Sequence, residues 1–419
     1  MSDKVLVKGG TVLSLDRAVG NLVGADVLIE DGLISEVGIS LRGRNAQIID
    51  ATDSIVMPGF VDAHRHLWQS LVRNLDTTVD VDVVRHYTPD DVYAATLVGL
   101  LGALEAGITT VVDWYDSAAS IDHLEAALSA HADAGVRTVF VPSQPDCEFA
   151  TEATVAFASP DLVEADLEAT AALWAQARQR GLRIHAHAGT AAASGGEVAE
   201  LGRRGLLGPD VTLCHCTRLS DADFDAIAAS STAVVLTPAS DMAAGVGAPP
   251  MQQLIDRSIH PGLGVGDERL APGDVFAQMR AAISVQHATL FDLKLAGKGG
   301  VPSLLNTREG IRHATIDAAK AAGLSDTTGS LSPGKQADVV VLRADRPNIA
   351  PINDPIGAVV WGMDTSNVDW VFVGGTPQVE NGELAADVTR ASDLAMAAQG
   401  RVIAAAGLLA DAGAGADQP

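Results

Sequence analysis

Pro58-Gly59-Phe60-Val61-Asp62-Ala63-His64-Arg65-His66 is the stretch on which the reading of this chain turns. A Pro-Gly turn signal is followed by an apolar run that ends on His-x-His. A strand alternates faces, so His64 and His66 project to one side and Arg65 to the other. Two imidazoles side by side at a strand end make a ready pair of metal ligands. Taken alone, the same pair equally fits two unrelated histidines, one of them buried and hydrogen-bonded.

Downstream of this stretch the rhythm is strand, loop and longer helix. Thr109–Asp113 is β-branched, Asp122–Ala134 is helical and Gly135 stops it, and Val136–Val141 is the next strand. Leu162–Gly181 reads as helix, Leu182–Ala188 as strand, Val211–Cys216 as strand, Asp221–Ser230 as helix and Thr232–Leu236 as strand. Such alternation predicts βα units on a parallel sheet, and eight of them would close a (β/α)8 TIM barrel with its chemistry at the strands' C-terminal ends. Upstream, Val5–Val7, Thr11–Leu15, Ala25–Glu30 and Leu33–Val37 are short β pieces, and Asp31-Gly32 suits a tight hairpin. Turn-rich β sequence returns at Gly329–Asp338 and continues through Val339–Leu342 and Trp370–Val373. The expected organisation is therefore a small discontinuous β-sandwich domain from 1–57 and 330–385. It flanks a barrel over 58–329, with a C-terminal helix and tail over 386–419, frayed at Ala412–Pro419.

The remaining histidines strengthen the metal reading. Arg183-Ile184-His185-Ala186-His187 is a second strand ending in His-x-His, and Leu213-Cys214-His215-Cys216 is a third strand with a histidine at its end. Gly262-Leu263-Gly264-Val265-Gly266-Asp267 is an apolar strand finishing on a carboxylate. Imidazoles and one carboxylate at the ends of parallel strands converge where a barrel builds its site. His86, His123, His131, His260, His287 and His313 fall in helical or loop positions and are expected to be structural or exposed. Cys214 and Cys216 flank His215 and face away from it, as small buried hydrophobes.

Composition narrows the partners. The 419 residues suit one large barrel plus a smaller domain. With 28 basic against 53 acidic residues, the net charge of −25 repels polyanions. That argues against nucleic acid and against anionic membrane surfaces, and favours a neutral or cationic small-molecule substrate. Cys147, Cys214 and Cys216 form no disulfide framework, there is no apolar leader, and no apolar run approaches the ~18 residues of a membrane span. A cytoplasmic protein is expected.

As a set, Val56–His66, Gly107-Ile108-Thr109-Thr110-Val111-Val112-Asp113 and Gly329-Ser330-Leu331…Gly334-Lys335-Gln336-Ala337-Asp338-Val339-Val340-Val341-Leu342 resemble the amidohydrolase superfamily. The likeness is to the cytosine deaminase, triazine hydrolase and 8-oxoguanine deaminase kind, and it covers nearly the whole chain. It implies metal ligation by His64, His66, His187 and Asp267. His215 would then contact the activated water or the substrate. Asp267 would serve as the proton acceptor, and His215 would polarise the group under attack. His187 is preferred to His185 as ligand, leaving His185 deeper and hydrogen-bonded in the core. No Lys ends the strand at Val141-Pro142-Ser143, so a carbamylated-lysine bridge between two metals is not indicated. One divalent metal is expected, Zn2+ first and Fe2+ as the alternative, because imidazole and carboxylate suit both. Gln69 would reach a substrate carbonyl or ring nitrogen, against the alternative of a surface or capping residue. Trp68 and Trp114 would either wall the pocket or simply pack. Related enzymes are often oligomers, which makes a homo-oligomer the expectation by analogy.

One position departs from the pattern. Deaminating relatives carry Glu three residues after the second-strand ligand, and here His187-Ala188-Gly189-Thr190 ends on threonine, which has no pKa for proton transfer. Asp116, Asp241 or Glu268 would replace it, or Asp267 and His215 would suffice for a labile substrate, or the chemistry is not hydrolysis. Asp241 would contact a substrate amine or else cap the turn at Gly245–Pro249. The leading expectation is hydrolysis of a non-peptide C–N bond in a small cyclic molecule, by deamination or by opening a cyclic amide or amidine. A metal-dependent lyase or isomerase on the same scaffold is the alternative, and an inactive binding protein the third.

Overall fold

Asp31 and Gly32 both take positive φ, 50° and 78°, in the computed structural model, and turn Asn21–Glu30 into its antiparallel neighbour Leu33–Gly38. A Cβ on Gly32 would lie 2.8 Å from the carbonyl oxygen of Gly374, so the turn and the C-terminal segment packed on it both require glycine. The structure describes residues 4–75, 83–115, 120–144, 149, 151–162, 166–191 and 194–407.

Strands from both ends of the chain form one nine-stranded sheet. Lys4–Leu13 pairs antiparallel with Asn21–Glu30 and parallel with Gln47–Asp50 and Ser54–Pro58. Ser54–Pro58 in turn pairs with Val339–Arg343, and Val368–Val373, Thr376–Glu380 and Glu383–Leu384 continue the sheet. The two pieces expected at the N-terminus are one strand, whose register shifts around Gly9-Gly10. Val7, Val27, Ile29, Val56, Leu331, Val339, Val341 and Phe372 bury a common core, which joins the first and last parts of the sequence.

Between these ends lie two parallel sheets. One holds β1 (Phe60–Arg65), β2 (Ile108–Tyr115) and β3 (Arg137–Pro142), with the short Thr154–Val155 at its edge. The other holds β4 (Phe157–Ala158), β5 (Ile184–Ala188), β6 (Val211–His215), β7 (Ala233–Leu236) and β8 (Gly262–Leu263). They meet on one side where the Ala156 amide donates to Phe140 O at 2.8 Å. On the other side Gly266 N–H donates to His64 O at 2.8 Å and His66 N–H to Gly266 O at 3.3 Å, around a parallel bridge between Arg65 and Gly266.

Helices follow the strands, with ends set by local chemistry. Thr88 and Asp91 form a capping box at Pro89–Glu105, Ser220 and Asp223 another at Asp221–Ser230, and Gly135 closes Ile121–Ala134 in the left-handed conformation. The helix expected from Leu162 begins at Leu167, because Asp166 caps it by accepting from the amides of Glu168 and Ala169. The long helix Val275–Leu295 follows β8. Val388–Ala405 lies against the first helix, with Ala398 and Val402 in one apolar cluster with Val92 and Ala95. The tail expected to fray, 412–419, lies outside the described residues. Among the described residues no helix is long and apolar enough to cross a membrane.

Candidate metal centre

Three strand ends bring imidazoles together. β5 and β6 run in register, with His187 beside Cys214 and Ala188 beside His215, and β1 delivers His64 from the other sheet. One nitrogen from each of His64, His187 and His215 lies within 4.8 Å of the other two. His64 Nε2 and His187 Nε2 are 3.3 Å apart. Two tetrahedral nitrogen ligands at about 2.0–2.1 Å from one zinc ion stand about 3.3–3.4 Å apart. The pair is thus spaced as ligands of a shared ion.

His64 is suited to that role. It is fully buried, and its Nδ1 has no hydrogen-bond partner among the described residues. Burial, reinforced by His66, His187, His215 and His185, pushes it well below the ordinary histidine range, so it offers a lone pair rather than a charge. Gly264 permits the approach of the last strand: a Cβ there would lie 2.6 Å from both the backbone N and O of His64. His66 stands next to this group, its ring 5.0 Å from that of His64 and 5.8 Å from that of His187. Trp114 lies flat on His187, with ring centroids 4.0 Å apart and planes inclined by 15°, and meets His64 edge-on at 5.4 Å. These contacts place the tryptophan ring against two of the three imidazoles.

His215 ends β6 at φ 72°, and Cys216 follows at φ 57°. Two successive left-handed residues without glycine mark a backbone held by its surroundings. The Cys216 amide donates to Ala188 O at 2.9 Å, and Thr217 Oγ1 donates to Gly189 O at 2.8 Å. The imidazole is fixed through Nδ1, which lies 2.8 Å from Asp241 Oδ1 and 3.1 Å from Thr237 Oγ1. Asp241 therefore faces His215. The Gly245–Pro249 turn is not capped by its side chain, and the amides of Val246 and Gly247 bond its main-chain carbonyl instead. Cys214 and Cys216 are buried, and burial raises both thiols above their usual range, in keeping with neutral apolar packing.

Asp267 follows Gly266, beside His66, but its carboxylate is engaged elsewhere. Arg269 Nη2 donates to Oδ2 at 2.6 Å, and its Nε lies 3.0 Å from both oxygens. Service as ligand or base requires that fork to open. Glu268, one of the carboxylates considered in place of the missing glutamate, is occupied. It is buried, ion-paired with Arg65 and Arg73, and accepts from Ser70 Oγ at 3.2 Å. Burial works to raise its pKa, yet the two guanidiniums hold it below the usual carboxylate range. Arg65 also pairs with Asp62 at 3.2 Å, so the residue between the two histidines anchors a buried ionic cluster.

His185 departs from expectation. It is fully buried, but neither ring nitrogen has a hydrogen-bond partner among the described residues. Its ladder neighbours explain this: Ala158 offers no polar side chain, and Thr212 Oγ1 donates to Ala321 O. Burial, with Arg183 nearby, pushes its pKa down to about 3. Gln69 lies in the 3-10 helix Leu67–Val72, 5% exposed, with Oε1 lacking a partner among the described residues, so it is neither a surface residue nor a cap. Thr190 is half-buried, and its Oγ1 donates to Asp161 Oδ2 at 3.4 Å. No sequence pattern singled out Asp161, Thr237 or Arg269. Asp116 lies outside the described residues. Two of the histidines set aside have structural bonds: His131 links Asp113 at 2.9 Å to Thr138 at 2.7 Å, and His123 links Ser120 to Tyr87 O.

Comparison with known proteins identifies the family. A 5-methylthioadenosine/S-adenosylhomocysteine deaminase of Acetivibrio thermocellus is 26% identical over 91% of this chain and 95% of its own length. A 5'-deoxyadenosine deaminase of Methanothermobacter thermautotrophicus is 27% identical over 91% of this chain and 95% of its own. Among solved structures, an adenosine deaminase from Xanthomonas campestris with bound zinc superposes with a TM-score of 0.82, covering 96% of this chain and 98% of that one at 20% identity, which shows a shared fold. The model of the amidohydrolase family matches residues 55–377, and the chain belongs to that family.

Proposed function

We propose that this enzyme is a metal-dependent hydrolase that removes the exocyclic amino group of a small nitrogen heterocycle, an aminopurine nucleoside first of all. The reaction consumes one water: the ring carbon loses its amino group as ammonia and gains a carbonyl oxygen. The observation that carries the reading is the 3.3 Å approach of His64 Nε2 to His187 Nε2 within the three-histidine group. Deaminase relatives along nearly the full chain support the substrate class. They do not favour the lyase or isomerase reading.

His64 and His187 hold the ion, with His66 and Asp267 completing the set implied by the resemblance. Zn2+ fits these donors, and Fe2+ is the alternative. A divalent ion there supplies Lewis acidity and lowers the pKa of water toward neutrality. Asp267, released from Arg269, takes a proton at its carboxylate. Gln69 Oε1, buried and without a partner among the described residues, accepts from a substrate N–H. Thr190, Asp116 and Asp241 are the further candidates beside the substrate, and Trp114 backs the site. The bonds between β1 and the segment after β8 support a closed (β/α)8 barrel over 58–329. The core shared by the chain ends supports a β-sandwich domain from 1–57 and 330–385, with 386–419 as helix and tail. Two free, buried thiols suit a reducing cytoplasm, and a homo-oligomer remains the analogy-based expectation.

The test is ammonia release by zinc-loaded enzyme from 5'-methylthioadenosine, S-adenosylhomocysteine, 5'-deoxyadenosine, adenosine and aminotriazines, with oxygen-18 from labelled water recovered in the product. No ammonia from any of them would overturn the deaminase reading. Turnover without label incorporation would restore the lyase or isomerase.

A further inference from the structure

We propose that the exposed end of the helix Val275–Leu295 is where a second copy of this chain docks, the face formed by Phe291 and Leu295 closing on the same face of its partner. This contact depends on nothing at the metal centre, and it gives a surface to the oligomer so far expected only by analogy.

The helix buries one stripe against the body of the protein, through Val275, Met279, Ala282, Ile283, Gln286 and Leu290. That cover stops at Leu290, and residues 291–300 are all exposed. The free last turn nevertheless carries Phe291, 45% exposed, and Leu295, 87% exposed. Ser284 and Ala288, also exposed, extend the same face toward the start of the helix. The spacing of Ser284, Ala288, Phe291 and Leu295 is that of a seam between paired helices, small where backbones approach and large where side chains interdigitate. The segment 303–305 is tied alongside, with Gln286 Nε2 donating to Ser303 O at 3.1 Å and His287 Nε2 lying 2.8 Å from Leu305 O, and it adds Leu304, 39% exposed. Large apolar side chains gathered without cover mark an association surface.

Charge says what covers it. Each chain carries a net −25, so two copies repel, and contact is resisted least where acidic residues are scarce. Between Val275 and Arg308 the charged residues are Arg280, Lys294, Lys298 and Arg308 against Asp292 alone. At about 100° per residue, Asp292 and Lys294 stand on opposite flanks of the face made by Phe291 and Leu295. Lys294 Nζ lies over the Phe291 ring, 5.7 Å from its centroid, and neither Asp292 nor Lys294 makes an ion pair among the described residues. A two-fold axis running along the helix sets the Asp292 flank of one copy against the Lys294 flank of its partner, twice over, with the apolar faces meeting between them. Face and flanks are therefore complementary to themselves, as a contact between identical surfaces requires.

Sedimentation equilibrium of the full-length protein tests this. Wild type should sediment at twice the chain mass at micromolar concentration. Leu295→Glu should raise the dimer dissociation constant at least about 30-fold, as loss of a central contact side chain does. Val23→Glu and Met396→Glu, at exposed apolar residues elsewhere, should leave it within about twofold. Lys294→Asp sets acid against acid on both flanks and should weaken association about 10-fold or more. Combining it with Asp292→Lys exchanges the flanks and should return the constant to within about threefold of wild type, a recovery that misfolding cannot mimic. A dimer indifferent to Leu295→Glu would overturn the proposal and leave the oligomer to another surface. Failure of the exchange to recover the loss from Lys294→Asp would overturn it as well. A monomeric wild type would sink proposal and oligomer together, with zinc binding and ammonia release unaffected.

Discussion

Replacing Gly264 with alanine probes the approach of the last strand to His64. The added Cβ would stand 2.6 Å from the backbone N and O of His64 and 3.0 Å from its Cβ. Ordinary contact begins near 3.4 Å, so the strands must part by about 0.8 Å. Because the atoms met first are backbone, no side chain can swing aside. Overpacking of this kind costs about 1–3 kcal/mol of stability. The larger effect falls on the chemistry, since a misplacement near 1 Å costs roughly 100-fold in rate. The assays are kcat/KM of zinc-loaded enzyme, chelator competition and thermal melting. Gly400→Ala is the control: it lies in the helix Val388–Ala405 with nothing within 4 Å, and gains about 0.5–1 kcal/mol. Gly264→Ala with kcat/KM and zinc affinity both within twofold of wild type would refute the idea that close strand packing places His64.

Chelation should abolish activity and added Zn2+ restore it, and His66→Ala should lose both the metal and nearly all turnover; an active metal-free enzyme would contradict the site. Glu268→Gln removes the hub of the buried Arg65–Glu268–Arg73 cluster and should cost about 3–5 kcal/mol in denaturant unfolding, as breaking a buried pair does. A loss under about 1 kcal/mol would show the cluster to be energetically idle. Thr190→Glu should raise ammonia release if a missing carboxylate limits turnover, and no gain would show that proton transfer is handled elsewhere.

The strands and their polarity were readable because alternation and β-branching are local properties. Ile184–Ala188 and Val211–His215 lie within two residues of their expected bounds, and Asp221–Ser230 falls on them. The histidines at strand ends were likewise visible, since position on a strand determines where a side chain points. What escaped notice depends on contacts distant in sequence or on two side chains competing for one partner. The fork from Arg269 to Asp267 pairs residues two apart, yet nothing in the pattern says which cation that carboxylate faces. Asp241 was equally a turn cap until its neighbour across β6 and β7 was known. The stacking of Trp114 on His187 joins strands that do not pair with each other. The solitary His185 shows the reverse error, a polar group credited with a partner that its alanine neighbour does not provide.

The nine-stranded sheet bears on how the chain comes to be made. Ser54–Pro58 is bonded on one edge to Lys4–Leu13 and on the other to Val339–Arg343. During synthesis the first strands therefore emerge long before their C-terminal neighbour, and an unsatisfied edge waits while the intervening parallel-sheet sequence is translated. Such high contact order slows folding and leaves an edge open to wrong pairing. Until Val339–Arg343 emerges, nothing covers this edge of Ser54–Pro58, so nascent chains should depend on chaperones up to that point.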